Sequence, residues 1–271
     1  LPAPDDPGRD LQLLLDAAEA AGRLAMTYWR LSPEAWEKAG GAGPVTVADL
    51  AVDRMLRADL RAARPDYGWL SEETEDDPAA RLAAERLFIV DPIDGTRAFI
   101  AGEDGFAVAL ATVEAGAVTA AVIHLPARGE TYAAAAGGPA TLNGAPIAAS
   151  AAEHPEGARL LAPHQALDPV HWRGGAAPGF RRSFRPALAW RLALMAGGRH
   201  DAVLSFRPIW EWDMAAGDLI ARAAGATVTD RLGLVHRYNS PGARAQGLVA
   251  AAPRLHAELM DRLVPVTELP G

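Results

Sequence analysis

The stretch Asp91-Pro92-Ile93-Asp94-Gly95-Thr96, which follows directly on the apolar run Leu87-Phe88-Ile89-Val90, constrains this chain more than any other. An apolar, β-branched run ending in Asp-Pro reads as a buried strand that delivers its last residue to a sheet edge, with Pro92 stopping the strand. Two carboxylates three positions apart on a stiffened turn, followed by a glycine and a hydroxyl, suit a hard divalent cation and leave backbone N–H groups free for a phosphate. Asp91, Asp94 and the Ile93 carbonyl are too few oxygens for a cluster of Mg²⁺ ions, so further acids must arrive from other elements.

Composition narrows the partners. With 26 Lys and Arg against 34 Asp and Glu, the net charge of −8 gives no footprint for a nucleic acid polymer or an anionic membrane. A small phosphate ester held through metal ions fits that balance. The chain has no cysteine, which excludes a disulfide framework, a thiolate zinc site and a cysteine nucleophile. Residues 1–6 carry neither a basic nor an apolar leader region, and no segment approaches the ~18 consecutive apolar residues of a membrane span, so a cytoplasmic protein is expected.

Hydrophobic periodicity predicts an amphipathic helix over 9–30, a Gly- and Pro-rich loop over 32–44, and a second helix over 49–62 with Asp49 at its start. Asp53, one turn later, reads as a solvated residue without a role. A short strand over 68–71 runs into Ser71-Glu72-Glu73, and 76–86 reads as a charged loop or short helix. Runs at 106–113, 117–124 and 130–135, separated by turn residues and followed by Asn143-Gly144, predict an antiparallel meander. Beyond about residue 150 the pattern alternates: strands at 158–162, 202–206, 226–229 and 247–251, and helices at 190–197, 213–224 and 253–263. Alternation of this kind indicates an α/β layer. The division expected is an N-terminal α+β domain over 1–152 and a C-terminal α/β domain over 153–271.

Two further acids have the right setting. Glu72 follows one predicted strand as Asp91 follows the next, so neighbouring strands would bring them to one edge. Asp213, in Trp212-Asp213-Met214-Ala215-Ala216-Gly217, opens a helix whose polarity favours an anion and whose small residues permit close approach. Glu73 reads equally as a supporting or a solvated acid. His164, His171 and His200 show no metal-ligand spacing. The run Arg181-Arg182-Ser183-Phe184-Arg185 reads as a solvated strand edge, with contact to a second phosphate as the other reading.

On these residues the chain resembles the inositol monophosphatase superfamily of metal-dependent, lithium-sensitive phosphomonoesterases. Asp91-Pro92-Ile93-Asp94-Gly95-Thr96 matches that family's first motif, and Trp212-Asp213-Met214-Ala215-Ala216-Gly217, continued by Ala223-Ala224-Gly225-Ala226, its second. Ser71-Glu72-Glu73 and Val45-Thr46-Val47-Ala48-Asp49 stand where the family has its Glu-Glu pair and its Thr–x–Ala–Asp segment. The resemblance implies that Glu72, Asp91, the Ile93 carbonyl, Asp94 and Asp213 hold two or three Mg²⁺ ions. It implies that Thr96, paired with Asp49, orients and helps deprotonate the attacking water, that Glu72 serves catalysis as well as metal binding, and that Gly95, Thr96 and Asp213 contact substrate. It also implies a layered αβαβα sandwich, with an antiparallel sheet and a second mixed sheet, and a homodimer.

The substrate is less constrained. Arg97-Ala98-Phe99-Ile100 after the first motif, and Ser71 before the Glu pair, look closer to the bacterial 3′(2′),5′-bisphosphate nucleotidases than to inositol-1-phosphate phosphatases. The stretch Leu161-Ala162-Pro163-His164 departs from the Ser-x-Ser-His-like segment of those nucleotidases, matching only the histidine. Arg207, Trp210 and Trp212 offer a cation and aromatic surfaces for a nucleobase, or core packing. The expected function is a Mg²⁺-dependent phosphomonoesterase acting on a bisphosphate nucleotide; the alternatives are an inositol-1-phosphate phosphatase and a catalytically silent phosphate-binding protein.

Overall fold

Alternation along the strands sorts the apolar side chains into three cores, and these cores define the layers. The computed structural model describes residues 7–41 and 43–266. Its helices are α1 (Pro7–Met26), α2 (Val47–Ala63), α3 (Pro78–Ala83), α4 (Thr96–Ile100), α5 (Leu188–Ala196), α6 (Glu211–Ala223) and α7 (Pro253–Arg262). The strands are β1 (Ala35–Glu37), β2 (Pro44–Thr46), β3 (Gly68–Ser71), β4 (Arg86–Asp94), β5 (Ala107–Glu114), β6 (Ala117–Leu125), β7 (Glu130–Ala135), β8 (Thr141–Leu142), β9 (Ala145–Pro146), β10 (Arg159–Leu161), β11 (Arg181–Ser183), β12 (Ala202–Trp210), β13 (Thr227–Thr229) and β14 (Arg244–Ala251).

Strands β3 to β9 form a seven-stranded sheet in chain order. Only β3 and β4 are parallel; from β4 onward each pair is antiparallel, as the meander pattern predicts. The second sheet, ordered β11-β10-β12-β14-β13, is mixed: β10 runs parallel to β11 and β12, and β14 antiparallel to β12 and β13. In β4, Phe88 and Val90 join Leu14 of α1 and Val52 and Leu56 of α2 in one core. Leu87 and Ile89, on the opposite face, join Leu192 of α5, Met214 of α6 and Leu248 of β14 in the next. Leu204 and Val249 face the far side, with Leu255 and Leu259 of α7. The order of layers is therefore αβαβα, as expected.

Three local expectations change, and one open reading is decided. The 32–44 loop contains β1, which pairs antiparallel with β2. Helix α2 begins at Val47, with Thr46 as N-cap, so Asp49 is the third helical residue and closes a capping box with Thr46. Residues 76–86, read as a charged loop or short helix, hold the short helix α3, capped by the Asp77 side chain. Most consequential, Pro92 does not stop the strand: β4 continues to Asp94 through an irregularity in which Asp91 pairs with Ala109 and Asp94 with Ala107. Three steps on β4 match two on β5, which is a one-residue bulge, and proline, having no N–H for the ladder, is tolerated there.

Helix α6 lies in the middle layer and packs against strands of both sheets as well as α5. Its approach to α5 requires Gly217, since a Cβ there would lie 2.6 Å from Leu192 Cβ and 2.5 Å from its Cδ1. Among the described residues no helix is long and apolar enough to cross a membrane. Residues 1–6, read for a leader in the sequence, lie outside the described residues. Gly217→Ala should destabilise the protein by about 1–3 kcal/mol through overpacking. Urea unfolding checks this, with Gly225→Ala as a comparison whose Cβ meets nothing within 4 Å but whose φ of +91° is itself unfavourable to alanine.

Candidate metal centre

Each acid of the site is delivered by a different local device. Register pairing of Ser71 with Val90 across the parallel strands β3 and β4 sets Glu72 beside Asp91. The loop after β3 is pinned by Asp53, which accepts hydrogen bonds from Ser71 Oγ at 2.5 Å and Thr74 Oγ1 at 2.7 Å. Asp53 is thus buried and anchoring rather than solvated, a role hidden from sequence because its partners lie 18 and 21 residues away. On a regular strand, residues three apart face opposite sides; the β4 bulge resets the alternation, and both Asp91 and Asp94 reach the same acidic cluster. Asp213 comes from the first turn of α6.

Carboxylate oxygens of Glu72, Asp91 and Asp213 all lie within 4.8 Å of one another. Asp94 stands beside this trio, with Oδ2 accepting the Ala189 N–H at the start of α5 at 2.7 Å. Asp91 Oδ1 accepts the Ile93 N–H at 3.1 Å, whereas its Oδ2 is buried without a hydrogen-bond partner. Glu73, which sequence leaves undecided, joins the site through Lys38: Lys38 Nζ donates to Glu72 Oε1 and Glu73 Oε1, each at 2.7 Å. Lys38 follows β1 in a segment read as a loop, and no signal in the sequence points to it.

Burial of so many acids together pushes their protonation upward. Asp91 and Asp213 are raised well above the usual carboxylate range, first by desolvation and then by their acidic neighbours. Burial also lifts Asp94 to about 7 despite the Ala189 N–H, and Glu73 to about 7 despite Lys38. Arg191 of α5 faces Asp94 and Asp213. Its hydrogen bonds reach only the Ala187 and Pro186 carbonyls, at 3.4 and 3.5 Å, and among the described residues it has no ion-pair partner.

These residues fit a hard divalent cation. The donors are all oxygen, carboxylates outnumber the cations beside them, and one oxygen of Asp91, a member of the trio, is buried without a hydrogen-bond partner. The neighbouring wall holds Thr96, whose Oγ1 lies 3.2 Å from the Ile93 carbonyl oxygen and 3.4 Å from Asp49 Oδ1. The other oxygen of Asp49 accepts the Thr46 N–H at 2.8 Å and the Thr46 hydroxyl at 2.5 Å. Burial raises Asp49 to about 6 against these bonds. Gly95 caps α4 at a φ of +94°, where a Cβ would lie 2.9 Å from the Gly105 carbonyl oxygen. Gly95 and Thr96 line an open cleft of about 280 Å³ together with Gly43, Pro44, Glu72, Arg97, Phe184 and Pro186.

Other sequence candidates fall elsewhere. His171 contacts Arg231 and Phe206, His200 contacts Ser183, and His164 is exposed. Arg181 and Arg182 occupy the exposed edge strand β11, in keeping with the solvated reading. Trp210 and Trp212 stack on each other with centroids 4.5 Å apart, and the Arg244 guanidinium covers the Trp210 ring at 3.6 Å. Both faces of Trp210 are occupied within the protein, which favours the packing reading of this pair over the nucleobase one.

Residues 9–268 match the inositol monophosphatase family. The chain is 33% identical over 262 residues to the histidinol-phosphatase of Chlorobaculum parvum, covering 89% of this chain and 96% of that protein. Identity to the inositol-1-monophosphatase of Rhizobium meliloti is 34% over 233 residues, or 82% and 86% of the two chains. The fold matches the solved structure of the Thermotoga maritima IMPase with a TM-score of 0.81 at 28% identity, covering 93% and 96% of the two chains.

The raised carboxyls have a consequence for stability. With its proton affinity raised in the folded state, each such acid contributes stability that is fully present below its ordinary value and lost as pH rises through its folded value. For Asp94 and Glu73 the window runs from the usual carboxylate range up to about 7. Metal-free protein should therefore lose stability across this window. Thermal unfolding in a chelator measures it; Asp94→Asn should flatten the slope, and Mg²⁺ should reverse it.

Proposed function

We propose a substrate class and a division of labour for a chain that belongs to the inositol monophosphatase family and is a phosphatase of that metal-dependent family. Glu72, Asp91, the Ile93 carbonyl, Asp94 and Asp213 hold two or three Mg²⁺ ions. The observation that carries this reading is the convergence of Glu72, Asp91 and Asp213 within 4.8 Å, together with the buried, unpartnered Oδ2 of Asp91. When bound, the metal lowers the pKa of a coordinated water and stabilises the charge that develops on the leaving oxygen.

The protein's own groups supply the rest. Thr96 Oγ takes a proton from the attacking water as its own hydroxyl proton passes to Asp49 Oδ1, which lies 3.4 Å away. Asp49, lifted to about 6, is matched to that transfer near neutral pH. Its second oxygen stays fixed by Thr46, so the accepting oxygen is held in place. The Gly95 and Thr96 N–H groups face the phosphate, and the absence of a side chain at Gly95 permits the tight turn.

For the rest of the substrate, the reading is a phosphomonoester carrying a second anionic group, as in a 3′(2′),5′-bisphosphate nucleotide. Arg191 supports it, as a half-buried cation facing Asp94 and Asp213 without an ion-pair partner among the described residues. Arg97 on the cleft wall adds a second positive charge. A second reading, hydrolysis of inositol 1-phosphate or histidinol phosphate, is favoured by the names of the relatives from Rhizobium meliloti and Chlorobaculum parvum. A homodimer belongs to the proposal on family resemblance alone.

Glu72→Gln and Asp213→Asn should abolish turnover while leaving unfolding cooperative; near-wild-type activity in either would sink the ligand assignment. Thr96→Ala should lower kcat far more than it raises KM, because its hydroxyl acts on the water. Side-by-side kcat/KM for adenosine 3′,5′-bisphosphate, inositol 1-phosphate, histidinol phosphate and fructose 1,6-bisphosphate decides the substrate. The bisphosphates should lead, and Arg191→Met should reduce their kcat/KM by about 10- to 100-fold, the equivalent of a charge-assisted hydrogen bond. Preference for either monoester with a neutral or cationic remainder would replace this reading with the second.

A further inference from the structure

Arg81 is a charged side chain only 1% exposed, and the chemistry proposed above makes no use of it. Its guanidinium joins two segments 158 residues apart. On one side Nε and Nη2 donate to the two oxygens of Asp76, at 2.8 and 2.9 Å. On the other, Nη1 donates to Asn239 Oδ1 at 2.6 Å and to the Ser240 carbonyl at 3.1 Å. Asn239 returns a bond from Nδ2 to the Arg81 carbonyl at 3.3 Å.

Both ends lead to the metal centre. Asp76 lies in the loop that begins with Glu72, between the Asp53-anchored Thr74 and helix α3. Asn239 and Ser240 donate their backbone N–H groups to Glu211 Oε2 and Oε1, at 2.7 and 2.9 Å. Glu211 is buried, is the first residue of α6, and precedes Asp213 by two positions. An unbroken chain of hydrogen bonds thus runs from the Glu72 loop through Asp76, Arg81, Asn239 and Glu211 to the turn that carries Asp213. Glu72 and Asp213 come from different layers and repel one another, so their separation needs a strut.

We propose that Arg81 is a positioning residue that fixes Glu72 relative to Asp213 and thereby sets the affinity of the site for its divalent cation. A buried ion pair is weak grounds for a purely stabilising role, because an apolar side chain of similar volume generally serves the fold as well. The planar fork is what spans Asp76 and Asn239 at once, and lysine cannot reproduce it. The inference rests on Glu72 and Asp213 being metal ligands.

The test uses the full chain with Mg²⁺ as the probe, and measures Mg²⁺ affinity by calorimetry, the Mg²⁺-induced shift in Tm, and the Mg²⁺ concentration for half-maximal turnover. Arg81→Lys and Asn239→Ala should each weaken Mg²⁺ binding by about 10- to 100-fold, as loss of ligand-orienting partners does. Their kcat at saturating Mg²⁺ should recover to within a few-fold, and Asn239→Asp, which keeps an acceptor facing Arg81, should restore the affinity. A lowered metal-free Tm with unchanged Mg²⁺ affinity would mean a structural role only and overturn the proposal. Should Arg81→Lys fail to fold, Asn239→Ala decides alone. Glu72→Gln and Asp213→Asn separate the two levels: unchanged Mg²⁺ affinity in those variants would overturn the ligand assignment and this inference with it, whereas their loss of affinity beside a wild-type Asn239→Ala would overturn this inference alone.

Discussion

Repulsion among buried carboxylates is the constraint to which the rest of this structure answers. Glu72, Glu73, Asp91, Asp94 and Asp213 converge with Lys38 and Arg191 as cations beside them. In a low-dielectric interior such a set either keeps protons or takes up a cation. The raised proton affinities of Asp91, Asp94 and Asp213 express the first outcome, and the chemistry of the family belongs to the second. Lys38, bridging two of the acids, partly offsets the charge from outside the cluster.

Holding like charges together requires a scaffold that cannot relax, and the layers provide it. The bulge in β4 is bracketed by regular pairing to β5, and α6 is held against α5 at a contact that admits no Cβ. Asp53 clamps the Glu72 loop, and the start of α5 grips Asp94. Each acid is fixed by its own element, and close packing of the layers fixes the elements relative to one another. The site therefore lies where the large sheet, the middle helices and the β1–β2 hairpin meet.

Much of this was legible beforehand, for reasons that differ by element. The meander of β5 to β7 and the alternation after residue 150 follow from hydrophobic period, a local property, and the turn between β8 and β9 from Asn143-Gly144. The acids of the two motifs were legible because their spacing is fixed by one strand end and one helix start. Pro92 misled, since a residue that breaks a ladder also marks a bulge, and only pairing with β5 distinguishes the two. Asp53, Lys38 and Arg81 were illegible because their partners are distant in sequence, and an isolated charged residue on a helix or loop ordinarily points to solvent. Trp210 and Trp212 were ambiguous for the same reason; their stacking on each other and under Arg244 is a tertiary outcome.

The amino-acid sequence by itself determined the layered class and the acidic motifs, because these reside in short-range spacing and in residue types that oxygen-ligand chemistry demands; the phosphatase activity it indicated through the resemblance of those motifs to a family. Tertiary structure alone decided that Asp91 and Asp94 share a side, that Glu73 shares Lys38 with Glu72, and that Arg81 joins the loop after β3 to the segment bonded to Glu211 at the start of α6. The physical reason is one of distance: a bulge is defined by the register of a neighbouring strand, and a buried hydrogen-bond network by the packing of segments up to 158 residues apart.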